Sequence, residues 1–105
     1  MTNDELGRLD GDLCAALEHN SVSLPSPIAA ILATIAGEND FADWHWIVRL
    51  DDGQHAYITG GCDYTGWDCQ SNCEAFVEPD LEAALRQVGE TQQPELRRQC
   101  AERAP

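Results

Sequence analysis

The run Gly60-Gly61-Cys62-Asp63-Tyr64-Thr65-Gly66-Trp67-Asp68-Cys69-Gln70-Ser71-Asn72-Cys73 packs three cysteines, two aspartates and two aromatics into fourteen residues. Thiolates suggest zinc, with Cys62, Cys69 and Cys73 joined by His45 or His55. The spacing is C-x6-C-x3-C, not the paired C-x2-C knuckles of recognisable zinc sites. The thiols read better as small apolar groups at alternate, core-facing positions. A nucleophilic thiolate needs an adjacent, oriented base. Cys62 and His55 are the available pair across a hairpin, and nothing in the sequence orients them. A glycosidase-like carboxylate pair can be drawn from Asp51, Asp52, Asp63 and Asp68, but among 19 acidic residues such proximity carries no signal. Gly60-Gly61 lacks the lysine and helix N-terminus of a phosphate loop. No catalytic residue, metal or cofactor is therefore expected, and the chain is not expected to be an enzyme.

Recognition is the alternative use of the same segment. A turn that presents Tyr64 and Trp67 beside Asp63 and Asp68 suits a protein interface, where aromatics serve as anchors. Against this stands the simpler fate of Trp67, folded back over the sheet as a lid. Asp43, Asp51, Asp52, Asp63, Asp68, Glu74 and Glu78 are expected to cluster around the sheet and its loops, with Asp4, Asp12 and Glu18 on the outer face of the first helix.

Charge narrows the partner. The chain has 105 residues, with 19 acidic against 6 basic side chains and a net charge of −13; all six bases are arginine. Such a field repels nucleic-acid phosphates and anionic membranes and attracts basic protein surfaces. Carboxylates spaced along one surface imitate duplex phosphates and compete for the Arg and Lys that neutralise DNA. The plainer meaning of the acidity is solubility. The 43% apolar content supports a globular domain over disorder. The acidic N-terminus does not resemble a signal peptide, and Ile28 to Ala36 falls short of the ~20 residues that cross a bilayer. A cytoplasmic protein with mostly reduced cysteines is expected.

The elements that must position these residues follow from patterning. Thr2 and Glu5 have capping-box spacing, and Leu6, Leu9, Leu13, Ala16 and Leu17 recur at helical intervals, which predicts one helix over 3–19. Ser21 to Pro25 is a linker. Ser26-Pro27, the apolar run to Ala36 and Gly37 predict a buried central helix over 27–36. Trp44 to Leu50 reads as a strand, with Trp44, Trp46, Val48 and Leu50 on one face and His45, Ile47 and Arg49 on the other. Asp51-Asp52-Gly53 closes a hairpin spanning 44–59, with Gln54 to Thr59 returning and Gly60-Gly61 ending or bulging it. A short third strand is expected near Glu74 to Val77. A helix opens at Pro79 or Asp80 and stops at Gly89, and a short one opens at Pro94. The expected fold is α+β, one domain over 1–105: N-terminal helices, a small antiparallel sheet, then one or two C-terminal helices.

The stretch from Trp44 to Gln70, about a quarter of the chain, resembles small uncharacterised phage and bacterial proteins that carry similar Tyr-Thr-Gly-Trp-Asp-Cys runs. The whole profile is similar in kind to phage or mobile-element anti-CRISPR proteins, in particular acidic inhibitors of type I surveillance complexes, among them type I-C. That resemblance rests on size, charge, the missing lysines and the missing catalytic motifs, and it transfers no residue by motif. It implies a protein inhibitor, active in the cytoplasm of a bacterial host. Asp43, Asp51, Asp52, Asp63, Tyr64, Trp67, Asp68, Glu74 and Glu78 are the expected contacts with a basic, DNA-binding partner surface. The alternatives are a host accessory or immunity-type protein-binding domain whose acidity is only solubility, and a zinc-stabilised structural module.

Overall fold

Two-residue alternation along Trp44–Leu50 sets the layers of the fold. In the computed structural model, which describes residues 1–38 and 43–103, Trp44, Trp46, Val48 and Leu50 face one core, while Ile47 on the opposite face enters another. The element order is α1 (Asn3–Leu9), α2 (Gly11–His19), β1 (Ile28–Ile35), β2 (Trp44–Leu50), β3 (His55–Cys62), β4 (Ser71–Glu78), α3 (Leu81–Arg86) and α4 (Gln93–Arg103). The four strands form an antiparallel meander in the order β1-β2-β3-β4. Leu6, Leu13 and Ala16 of α1 and α2 cover the tryptophan face. Ala84, Leu85, Leu96 and Cys100 of α3 and α4 cover the face of Ile47 and Tyr57. The α+β class and the helix–sheet–helix order are thus as the patterning implies.

The main departure is the run after Pro27. The predicted helix over 27–36 is the edge strand β1. A strand covered on both faces reads as a continuous apolar run, which periodicity cannot separate from a buried helix. Ile28, Ile31, Thr34 and Ile35 supply the β-branched side chains that suit it. Register shifts between Ile28 and Ala30 and between Ile31 and Ala33 let the run supply both cores. Pro27 precedes the strand, where its missing N–H costs nothing, and its carbonyl accepts from Asp51 N. The Ser26 hydroxyl, expected to cap a helix, accepts instead from Asp52 N at 3.2 Å and clips the β2–β3 turn.

The single helix expected over 3–19 is broken at Asp10, whose extended backbone ends α1 and starts α2. Asp10 Oδ1 accepts from Leu13 N at 3.0 Å as an N-cap, and Oδ2 accepts from the indole of fully buried Trp46 at 2.9 Å. The break provides the acceptor that a buried indole N–H requires. The capping box of Thr2 and Glu5 is present. Strand β3 continues through Gly60 and Gly61 to Cys62, and β4 is longer than expected. A Cβ on Gly60 would lie 2.4 Å from Asn72 O, so glycine there permits the close approach of β4.

On the α3/α4 side, buried His45 Nδ1 lies 2.7 Å from Tyr57 Oη. Burial lowers the imidazole pKa against a weaker opposing effect of Asp43, and burial raises the phenol. A neutral phenol whose O–H donates to Nδ1 of a neutral imidazole is consistent with both shifts.

Candidate functional site

The β3–β4 connection, Asp63 to Gln70, closes with a bond from Asp63 N to Gln70 O at 3.0 Å. Asp63 Oδ1 accepts from Thr65 N at 2.9 Å and from the Thr65 hydroxyl, an Asx-type turn. Gly66, at φ 100°, takes the left-handed conformation that turns the chain inward, and Gly66 N bonds Asp63 O. This geometry puts Tyr64 at the tip, 84% exposed, and Trp67 underneath, 8% exposed.

Trp67 is the lid and not the exposed anchor. It packs edge-on against Trp44 with centroids 5.2 Å apart and tilted against Trp46 at 6.5 Å. Its indole N–H donates to Asp12 Oδ1 at 3.0 Å. Its carbonyl accepts from Ser71 Oγ, which in turn accepts from Asn20 Nδ2. Asp12 and Asn20, at the two ends of α2, therefore both tether the loop. Patterning assigns Asp12 to the outer helix face and misses this bond. The available signal was an Asp pair ahead of an apolar helical run, in a chain with indoles that need acceptors.

The expected acids do not form one patch. Asp63, Tyr64 and Asp68 lie at one end of the sheet, and exposed Asp43 precedes β2 at that same end. Asp51 and Asp52 lie at the other end, a strand length of about 20 Å away. There the Asp52 carboxylate accepts from Gln54 N and Nε2, which hold its pKa down. Glu78, at this end of β4, accepts from Gln87 Nε2 at 2.8 Å. Glu74 stands exposed in mid-strand.

The cysteines and histidines are dispersed too. Cys62 and Cys73 face the tryptophan core, Cys69 is exposed in the loop, and His45 lies on the opposite face of the sheet. His55 opens β3 and Cys62 ends it, so the two are at opposite ends of one strand. Among the described residues, no three His, Cys, Asp or Glu side chains are grouped to hold a metal ion. Burial pushes the Cys73 thiol up to about 11, and it raises Cys62 with help from Asp12 and Asp63. These thiols are poor nucleophiles at neutral pH.

No family model, curated protein or solved structure matches this chain. From Leu81 onward the sequence has four acids and four arginines, so the whole net charge of −13 is carried by residues 1–80. In the α3/α4 layer, Arg86 and Arg97 pair with Glu82, and Arg98 pairs with Glu95 and Glu102. One helical layer is electroneutral, and the α1/α2 layer and sheet loops are acidic. No helix among the described residues is long and apolar enough to cross a membrane.

Proposed function

We propose that this chain is an acidic protein inhibitor that docks on a basic, nucleic-acid-binding surface of a larger complex and blocks its access to DNA. The target we infer is a type I CRISPR surveillance complex in a bacterial cytoplasm. The observation that carries this proposal is the segregation of charge. All of the net −13 belongs to residues 1–80, and the arginines of α3 and α4 are occupied by neighbouring acids or, for Arg103, by the Ile31 carbonyl. A field polarised in this way orients the protein as it approaches a cationic groove and speeds the encounter. Asp63 and Asp68 share the exposed loop with Tyr64, and Asp43 precedes β2 at the same end of the sheet; an exposed phenol among carboxylates suits an arginine-rich surface.

The test is a competition assay between this protein and target DNA for a purified type I surveillance complex at low and high salt. Salt-sensitive loss of DNA binding is expected. Asp68→Lys at the loop end and Asp51→Lys at the turn end, about one strand length apart, identify which end docks. Unimpeded DNA binding at both salts sinks the proposal. Inhibition that survives charge reversal but is lost in Tyr64→Ala favours a second reading, a protein-binding domain anchored by the 84%-exposed Tyr64.

A further inference from the structure

The two edges of the sheet are treated differently. Along β1, the Gln99 side chain accepts from Thr34 N and donates to Thr34 O, both at 2.9 Å, and Arg103 donates to Ile31 O at 2.9 Å. Together with its two register shifts, these contacts block β1 as a pairing template. Strand β4 has none of these devices. It pairs with β3 over eight residues without a register shift and contains no proline.

The outward groups of β4 follow from bond parity. Leu50 N bonds Gln54 O, which turns the even-numbered residues of β3 toward β2. Asp63 N bonds Gln70 O, so the even-numbered residues of β4 face β3. The N–H and C=O groups of Ser71, Cys73, Ala75 and Val77 then point away from the sheet. No backbone hydrogen bond among the described residues reaches them. Every residue of β4 keeps some exposure, whereas β2 and β3 are mostly buried.

We propose that the outer edge of β4 is a strand-pairing surface for a basic, extended segment of a protein partner. Charge selects this occupant. Glu74 and Glu78 lie along the strand and Asp68 just before it, while the nearby Arg86 is engaged with Glu82. A second copy of the chain, itself at net −13, would approach this acidic edge against its own charge, whereas a basic segment would not. Main-chain bonds would supply the pairing, and alternating arginines would meet the carboxylates. The inference rests on the proposed affinity for basic surfaces and adds where and how a partner segment binds.

The probe is an eight-residue peptide of alternating arginine and valine, titrated into the 15N-labelled full chain, with an arginine–proline peptide of equal charge as control. The expected result is shifts at the amides of Cys73, Ala75 and Val77. Their hydrogen exchange should slow at least about tenfold, and the proline peptide should bind at least about tenfold more weakly. Ala75→Pro removes one outward N–H at a position where an edge strand tolerates proline. If its melting midpoint is retained, it should bind the arginine–valine peptide as weakly as the control does. Shifts confined to Asp63–Gln70 or Asp51–Asp52, with both peptides equal, overturn the edge site while leaving the affinity for basic surfaces intact. No shift up to millimolar peptide also overturns it, and the DNA competition assay then judges the proposed function separately. A dimer that protects these same amides overturns the choice of occupant.

Discussion

On one face of the sheet, Asp10 and Asp12 each take an indole N–H, from Trp46 and Trp67, beneath a layer packed by Leu6, Leu13 and Ala16. On the other face, the polar contacts of α3 and α4 are mostly exposed arginine–carboxylate pairs between neighbouring turns and between the two helices. Both layers use acids, with different consequences. A carboxylate that accepts from an indole keeps its negative charge, so the α1/α2 layer stays acidic. A carboxylate paired with arginine is neutralised as a pair, so the α3/α4 layer presents no net field. The first arrangement also fixes structure, because a buried N–H without an acceptor is costly. The second contributes little to stability, because water screens it. The same difference leaves one layer suited to meeting a cationic partner.

Asp10 carries the largest share of this difference. Asp10→Ala removes the cap of α2 and the acceptor of the Trp46 indole together. A loss of about 2–4 kcal/mol in urea unfolding is expected from the two effects. Asp10→Asn, whose amide has one acceptor oxygen in place of two, can keep the cap or the indole bond but not both, and should recover only part of it. A loss in Asp10→Ala no larger than that of a surface charge change would mean that the indole bond does not hold this layer.

Asp12→Ala should cost less, about 1 kcal/mol, because only the acceptor of Trp67 is lost. Its clearer signature is local. Faster amide exchange is expected from Asp63 to Gln70 and none at Leu96 or Cys100. Uniform exchange across both layers would show that the loop is not tethered through α2.

Acid should also weaken the fold. Burial lowers the pKa of His45 and, with help from Arg49, that of His55, so the folded state takes up protons less readily than the unfolded chain near its usual pKa of about 6.5. Stability is therefore present above that pH and is lost as pH falls below it. The urea midpoint should drop between pH 7.5 and 5.5. That window lies above the titration of Glu95, whose bonds from Arg98 and Gln99 hold it at about 2. Replacing both histidines with glutamine should flatten the slope, and an unchanged slope would assign it elsewhere.

The smallest effect is expected at Arg98→Ala, which breaks two exposed pairs on α4. The melting midpoint should hardly move, while the net charge becomes more negative on the layer that was neutral. Salt-dependent inhibition that strengthens in this variant would indicate that total charge governs docking. Unchanged inhibition would tie docking to the acidic layer.

Much of the fold was legible locally. Trp44 to Leu50 alternates with period two and must pair, Asp51-Asp52-Gly53 closes a hairpin, and Thr2 with Glu5 starts a helix; all three are present. The stretch from Ile28 to Ile35 was not legible, because apolar on all sides describes a buried helix and a doubly covered strand equally. Asp10 was hidden for a related reason. Helical spacing continues through it, and only the Trp46 indole explains why the helix stops there. In the candidate site, the types of Asp63, Tyr64 and Asp68 were readable, but Trp67 could equally have been anchor or lid.

The sequence by itself determined the sign and size of the net charge, the absence of lysine and the confinement of that charge to residues 1–80. Charge is a sum over residues and needs no geometry. Tertiary structure alone decided that Trp67 points inward while Tyr64 points out, and that β4, not β1, has the open edge. Each of those depends on which distant segment supplies an acceptor, a covering face or a neighbouring strand. That partner is chosen when the two cores pack, and no local stretch of sequence records it.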